Sequence, residues 1–478
     1  KIADKKTDLF QIQIQKTSEK KEVEEALFQL QSQRQKLTQL LEIEYPAYYR
    51  LKYDPDIPAV KEIQGELTAA EHMLDYFWGQ NQLYVFQLEK DGLKLRALGE
   101  TDTLLAQLLD LKRILSDPFQ GASDEEFRAD FEAFSQLSQA LYDRLIPEIE
   151  WEGENETQRI KIIPDGALGY LNFSLLSRPT KKTPNGYKDL PYLLKDFDIS
   201  YAYSPAQWWH LKQSEAPKLR GKDDLVAFRP SYPESEGKPQ RSLVSRKGFG
   251  PLYYSKEEIE NISQYFDTQI FEGEEATEKS FYQWASEFPL IQISAHAMIP
   301  DSASHAAFIA FTDVNSSQFD DSLMLEELYA QRIEAEMVVL SACETGLGKL
   351  YQGEGIMSLG RAFTYAGARS LLMSLWEVND ASTAQIMSDF YKYLAEGYHK
   401  DAAIRKAQLD YLAASGQLQA HPYFWAAFVA NGDMAALEQE KGSSIFYIIF
   451  GIFVLALLGL VLWRLRYTNR PNKSVSPV

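Results

Sequence analysis

The sequence predicts an α/β fold in which a mostly parallel sheet is flanked by helices, and three observations lead there. Residues 336–380 read as strand, loop, helix, strand. The apolar run Met337-Val338-Val339-Leu340 comes first, followed by a loop holding Gly346, Gly348, Gly353 and Gly355. A helix with Ile356, Leu359, Phe363 and Ala366 on one face then leads to a second apolar run over 371–376. Another short apolar run, Leu290-Ile291-Gln292-Ile293 after Pro289, lies upstream. From residue 225 onward such runs alternate with helical segments, the order that gives parallel strands covered on both faces.

In chain order, residues 20–44 read as one long helix. Val23, Leu27, Leu30, Leu37 and Leu41 sit at heptad-like spacing, Arg34 interrupts the seam, and Pro46 ends it. Residues 59–77 read as a second helix. Residues 83–88 alternate, Lys90-Asp91-Gly92 turn the chain and residues 93–98 return, which is a hairpin pattern. Helices are expected over 101–115 and 124–145. Strands are expected over 159–163, ended by Pro164-Asp165-Gly166, and over 198–203. Residues 178–190 and 232–250 are polar loops. The second half opens with a strand at 225–228, followed by a helix at 256–265, a strand at 268–271, a helix at 278–287 and a strand at 289–293. After the 336–380 unit come helices at 381–395 and 401–414 and a last strand at 423–430, ended by Asn431-Gly432. The expected division is a helical region (1–80), a first α/β unit (81–215) and a second α/β unit (216–437).

Composition narrows the function classes. Lys and Arg number 49 against 68 Asp and Glu, a formal net charge of −19. Phosphates would be repelled, so nucleic acid is not an expected partner. A single cysteine excludes an intramolecular disulfide and a thiolate zinc cluster. No cofactor or metal is expected. Gly348-Lys349 is followed by Leu350 rather than Ser or Thr, and Gly353-x-Gly355 lacks a third glycine at the spacing a nucleotide loop needs. No repeat of about 34 residues is evident. The chain opens on Lys1 and reads as a fragment or processed form, with a sensor part expected upstream.

Residues 445–463, from Ile445 to Trp463, form an uncharged run, IFYIIFGIFVLALLGLVLW, close to the ~20 residues that cross a bilayer. Arg464, Arg466, Arg470 and Lys473 follow in the tail (464–478). The expectation is a single-pass membrane protein, its bulk extracytoplasmic (periplasmic) and its short basic tail cytoplasmic.

The chemistry concentrates at two strand ends. Cys343 follows the run ending at Leu340, and His296 ends Ser294-Ala295-His296 after the run ending at Ile293. In open parallel sheets, ligands bind beyond the carboxyl ends of the strands, and both residues sit there. A thiol attacks only as thiolate, and a nearby imidazole supplies the base. The alternative for Cys343 is a small buried hydrophobe, and the rival base is His305. His72, His210 and His399 read as surface or packing residues, and His421, before Pro422, as structural. Asp380 and Glu377 follow the strand ending at Trp376. Asp380 is either a helix cap or a group lining the same cleft.

With these residues placed, the sequence resembles the CHAT domain family, caspase-like cysteine peptidases associated with tetratricopeptide repeats. The resemblance rests on Leu340-Ser-Ala-Cys-Glu-Thr-Gly346, Gly353-Glu-Gly355, Arg361-Ala-Phe363, Tyr365-Ala-Gly-Ala-Arg369 and Ser374-Leu-Trp-Glu-Val-Asn-Asp380. It continues through Phe390-Tyr391, Leu394 and His421-Pro-Tyr-Phe-Trp-Ala-Ala-Phe428. Upstream, Ile163-Pro-Asp-Gly-Ala-Leu168, Tyr170-Leu171 and Phe173 also fit, so it spans residues 83–432. It implies a caspase-haemoglobinase-like fold with a degenerate first unit and an active second one. It makes Cys343 the nucleophile, His296 the base and the backbone N–H of Ala297 an oxyanion donor. Ala297 stands where the family usually has Gly. Asp380, or Glu377, would line a pocket for a basic substrate side chain. The expected function is a membrane-anchored endopeptidase acting on a protein or peptide substrate, in a bacterial signalling setting, gated by an upstream or partner helical-repeat sensor. The alternatives are an inactive caspase-like scaffold for protein–protein interaction and, third, a thioester enzyme.

Overall fold

In the computed structural model the described residues are 57–116, 123–149, 158–221, 223–232, 251–298, 307–312, 322–341, 357–376 and 379–439. Positions 36, 40, 456–461, 463 and 464 are described as well. Helix α1 (Val60–Glu66) leads into strands β1 (Glu71–Trp78), β2 (Gln82–Glu89) and β3 (Gly92–Glu100). Helices α2 (Thr101–Ser116) and α3 (Asp124–Leu145), strands β4 (Gln158–Ile163) and β5 (Phe197–Tyr201), and α4 (Pro205–Gln213) follow. The second half contains β6 (Leu225–Arg229), α5 (Ser255–Ile262), β7 (Thr268–Glu272), α6 (Glu278–Trp284) and β8 (Leu290–Ile293). Short pieces β9 (Ala297–Met298), β10 (Phe308–Ala310), β11 (Ser322–Met324) and α7 (Leu325–Leu328) come next. The chain then runs through β12 (Met337–Leu340), α8 (Met357–Ala366), β13 (Ser370–Ser374), α9 (Asp380–Ala395), α10 (Lys400–Ala414), α11 (Pro422–Trp425) and β14 (Phe428–Gly432).

Eleven strands form one sheet in the order β3-β2-β1-β4-β5-β14-β13-β12-β8-β6-β7. Most neighbours are parallel; β14 runs against β13, and β1, β2 and β3 form an antiparallel meander at one edge. The two halves of the chain meet where β14 pairs with β5, Asn431 opposite Tyr201. The central strands β8, β12 and β13 are buried at every position, as strands covered on both faces must be. Edge strand β3 is largely exposed and carries Lys94 and Arg96, charges that discourage pairing with another chain. One hydrophobic core runs through both halves. Leu104, Leu108 and Leu111 of α2 and Phe134, Leu141 and Leu145 of α3 enter it from the first half, and Ile386 and Phe390 of α9 and Ile404 and Ala407 of α10 from the second. Gly367 ends α8 at φ 115°, with the Ile333 carbonyl packed where a Cβ would stand, so no other residue fits there without moving backbone.

Several expectations are corrected. The helix expected over 59–77 stops at Leu67, and residues 71–78 are strand β1, held between β2 and β4; pairing on both sides overrides the local helical pattern. The strand expected over 423–430 is split. Pro422 stands at the first position of α11, the His421 side chain caps it, and the strand begins at Phe428. A three-stranded antiparallel sheet, β11-β10-β9, was not legible in the sequence. The single-pass membrane placement is also corrected: among the described residues no helix is long and apolar enough to cross a membrane. The long helix expected over 20–44 lies outside the described residues apart from positions 36 and 40.

Candidate active site

Strands β8 and β12 are parallel neighbours in strict register, with Leu290, Ile291, Gln292 and Ile293 opposite Met337, Val338, Val339 and Leu340. The pairing extends one step further, because the Ser341 N–H donates to the Ile293 carbonyl at 3.1 Å. His296 is three residues past Ile293, and Cys343 is three residues past Leu340. The two strands therefore end at the same level, Ile293 opposite Leu340, and His296 and Cys343 follow them in the sequence by the same number of residues. Cys343, His305 and Glu377 lie outside the described residues.

His296 is half-buried and held from several sides. Its N–H donates to the Tyr232 hydroxyl at 3.0 Å, and that hydroxyl donates to the Ala310 carbonyl at 2.7 Å. The Ala310 N–H returns to the His296 carbonyl at 2.8 Å, so one rung between the His296 strand and β10 is relayed through a phenol. The Tyr232 ring also packs edge-on against the imidazole, with centroids 4.7 Å apart. Ala297 is buried and opposes Ile309. That position alternates with the bonded His296–Ala310 rung, so the Ala297 N–H points away from β10. Asp223 is the one non-glycine residue with positive φ among the described residues, so Ala297 needs no glycine-like backbone.

Asp380 is the first residue of α9. It is not the cap, because Asn379 fills that role by accepting from the Ser382 N–H at 3.2 Å. The Asp380 carboxyl is thus not spent on capping α9. Burial raises it above the usual carboxylate range, against a hydrogen bond from the Tyr253 backbone N–H and the attraction of His296. Asp380 and His296 are therefore neighbours electrostatically.

Beneath these groups lies a buried polar cluster that the sequence reading missed. Glu258 of α5 is 3% exposed. Its Oε1 accepts from Ser341 Oγ at 2.7 Å, Ser294 Oγ at 2.7 Å and Gln292 Nε2 at 2.8 Å. Gln292 in turn accepts from the Tyr391 hydroxyl at 2.8 Å and donates to Ser341 Oγ at 2.9 Å. Burial pushes Glu258 up to about 7 despite the three donors, and the Asp380 charge adds to the rise. Two signals were available. Glu258 sits on the apolar face of its helix with Ile259 and Ile262, and Ser-Ala precedes both His296 and Cys343. Three other histidines have local roles. His72 bonds Gln158 at 3.1 Å, His399 contacts Arg159 and the Met434 carbonyl, and His421 caps α11 against the Tyr187 ring.

Mouse tetratricopeptide repeat protein 28 is 21% identical over 341 residues, covering 63% of this chain and 13% of that protein. The human protein of the same name is 22% identical over 347 residues with the same coverage. This chain thus spans a small part of those relatives, and both are mammalian, so the expected bacterial setting is not supported. Among solved structures, the separase–securin complex of Saccharomyces cerevisiae matches at TM-score 0.46 and 11% identity, over 77% of this chain and 30% of that one. The Arg-specific cysteine proteinase gingipain R matches at TM-score 0.37 and 9% identity, over 64% of this chain and 68% of that one. At these levels the likeness concerns the path of the chain only. The CHAT domain family matches residues 135–433, well over half of the sequence and all of the strands described at the candidate site. The chain belongs to the CHAT domain family.

Proposed function

We propose that this chain is a caspase-like cysteine endopeptidase working through a Cys343–His296 dyad. His296 takes the thiol proton, and the Cys343 sulfur attacks the scissile carbonyl. The N–H groups of Ala297 and Cys343 hold the oxyanion, an interaction of a kind worth about 3–4 kcal/mol per donor. As the carbon–nitrogen bond breaks, His296 returns the proton to the leaving amine. Water, activated by the same imidazole, then releases the acid from the thioester. Asp380, with Glu377 as the alternative, receives a basic side chain on the substrate. A helical-repeat sensor, upstream in the chain or in a partner, gates access; the repeat proteins among the relatives support that part of the reading.

The observation that supports this reading is the register of β8 on β12, whose last paired residues, Ile293 and Leu340, each stand three positions before His296 and Cys343 in the sequence. The experiment is cleavage of a peptide library by the wild type and by Cys343→Ala. Complete loss in the variant, with an unchanged circular dichroism spectrum, is expected. Equal turnover by the variant removes the proposal. A wild type that neither cleaves nor accepts an electrophilic peptide probe at Cys343 leaves a scaffold for protein–protein interaction.

A further inference from the structure

We infer that Glu258 is a positioning residue for this site, clamping the ends of β8 and β12 so that their outgoing segments are held at a fixed separation. The inference rests on the dyad reading for its catalytic meaning, while its geometry stands on described residues alone. A single carboxylate oxygen gathers Ser294, two residues before His296, Ser341, two residues before Cys343, and Gln292 of the same strand face. The two serines also contact each other at 3.1 Å. A buried Glu on the apolar face of a short helix is costly, and neutral Gln, Leu or Met would fill the volume. What those residues cannot supply is a charged acceptor, and charge-assisted bonds hold the three converging donors more strongly than a neutral oxygen does.

The clamp depends on charge state. When ionised, Glu258 accepts all three donors. When protonated on Oε2, its Oε1 becomes a neutral carbonyl oxygen and holds the same donors more weakly. The charged and titratable groups facing it come from α9: the Asp380 carboxyl and the buried Tyr391 phenol. Gln292, Ser294 and Ser341 present neutral groups. On β6, which also touches α5, the one charged side chain is Arg229, and it is paired with Glu272 at 2.7 Å. Glu258 is the titratable group that the two serines and Gln292 bond directly, so the clamp tightens as it ionises.

Because the chain has a single cysteine, alkylation by iodoacetamide followed by intact mass reads one thiol, with no need of a substrate. The measurement is the alkylation rate from pH 5.5 to 8.5 for the wild type, Glu258→Gln and the double variant Ser294→Ala/Ser341→Ala. Taking the ratio to wild type at each pH removes the pH dependence common to all three proteins and leaves what the clamp adds. The expected wild-type to Glu258→Gln ratio is near one at pH 5.5 and rises to about tenfold at pH 8.5, with its midpoint near neutrality, and the double variant follows the same course. A ratio flat with pH in both variants overturns the inference. Peptide cleavage in parallel separates the two proposals. Loss of cleavage with the pH-dependent ratio intact removes the peptidase reading and keeps the clamp. Cys343-dependent cleavage with a flat ratio does the reverse.

Discussion

The two edges of the large sheet solve the problem of buried charge in opposite ways. At the edge where β12 and β13 begin and the antiparallel β14 ends, Glu336 and Asp433 meet three cations. Lys400 Nζ bonds Glu336 at 2.5 Å, Arg369 reaches Glu336 at 3.3 Å and Asp433 at 2.8 Å, and Lys212 approaches Asp433 at 3.3 Å. Burial alone would raise Asp433, yet Lys212, Lys400 and Arg369 hold it well below the usual carboxylate range. Burial raises Glu336 in spite of Lys400 and Arg369. At the opposite edge, Glu258 and Asp380 are both raised by burial. Glu258 is met there by neutral hydroxyls and an amide, and Asp380 by a backbone N–H and an imidazole. One edge neutralises its carboxylates and serves the fold. The other leaves Glu258 and Asp380 raised by burial, Asp380 within reach of the charge of His296, a kind of shift that clusters at functional sites.

The largest effect should come from breaking the neutralised edge. Lys400→Met removes one partner from a buried network and should cost about 3–5 kcal/mol in urea unfolding, most of which Lys400→Met/Glu336→Leu should recover. If Lys400→Met alone is neutral, the contrast between the edges fails.

The second test sharpens the other edge. A carboxyl raised on folding binds its proton more tightly in the native state, so stability is unaffected below the unfolded value, declines as pH rises through the interval and carries its full penalty above the folded value. For Glu258 the interval runs from 4.5 to about 7, which corresponds to about 3 kcal/mol as an order of magnitude. Glu258→Gln cannot ionise. Its stability relative to wild type should therefore improve by about that amount between pH 4.5 and 8, while thiol reactivity falls at the higher pH. A variant that gains both stability and reactivity would contradict the role given to the charge. The smallest expected effect is on selectivity: Asp380→Asn should lower cleavage after Lys and Arg relative to neutral residues by about tenfold, near 1.4 kcal/mol. Selectivity unchanged by that substitution reassigns the basic pocket.

Much of this architecture was legible in local pattern. The β2–β3 hairpin, helices α2 and α3, and the buried runs of β8 and β12 lie within a residue or two of where alternation, helical spacing and turn residues put them. Strand β1 was not legible, because residues 71–78 become strand through partners on both sides. Strands β9, β10 and β11, two or three residues long, carry too few positions for a period to register. At the site, His296 and Cys343 could be found as polar groups at the ends of apolar runs. Glu258 left fainter signals, its place on the apolar face of a short helix and the Ser-Ala before each of the two residues, and was missed because one charge in such a helix reads as surface until its neighbours are known.

The sequence by itself determined the chemistry on offer, one thiol and a histidine at two strand ends, because apolar period and strand termination are local properties of the chain. Only the tertiary structure decided that those strands are adjacent and in register, that Asn379 rather than Asp380 caps α9, and that Glu258 lies beneath the site. Adjacency, burial and the cost of an ionised group depend on residues far apart in the chain, and no local pattern contains them.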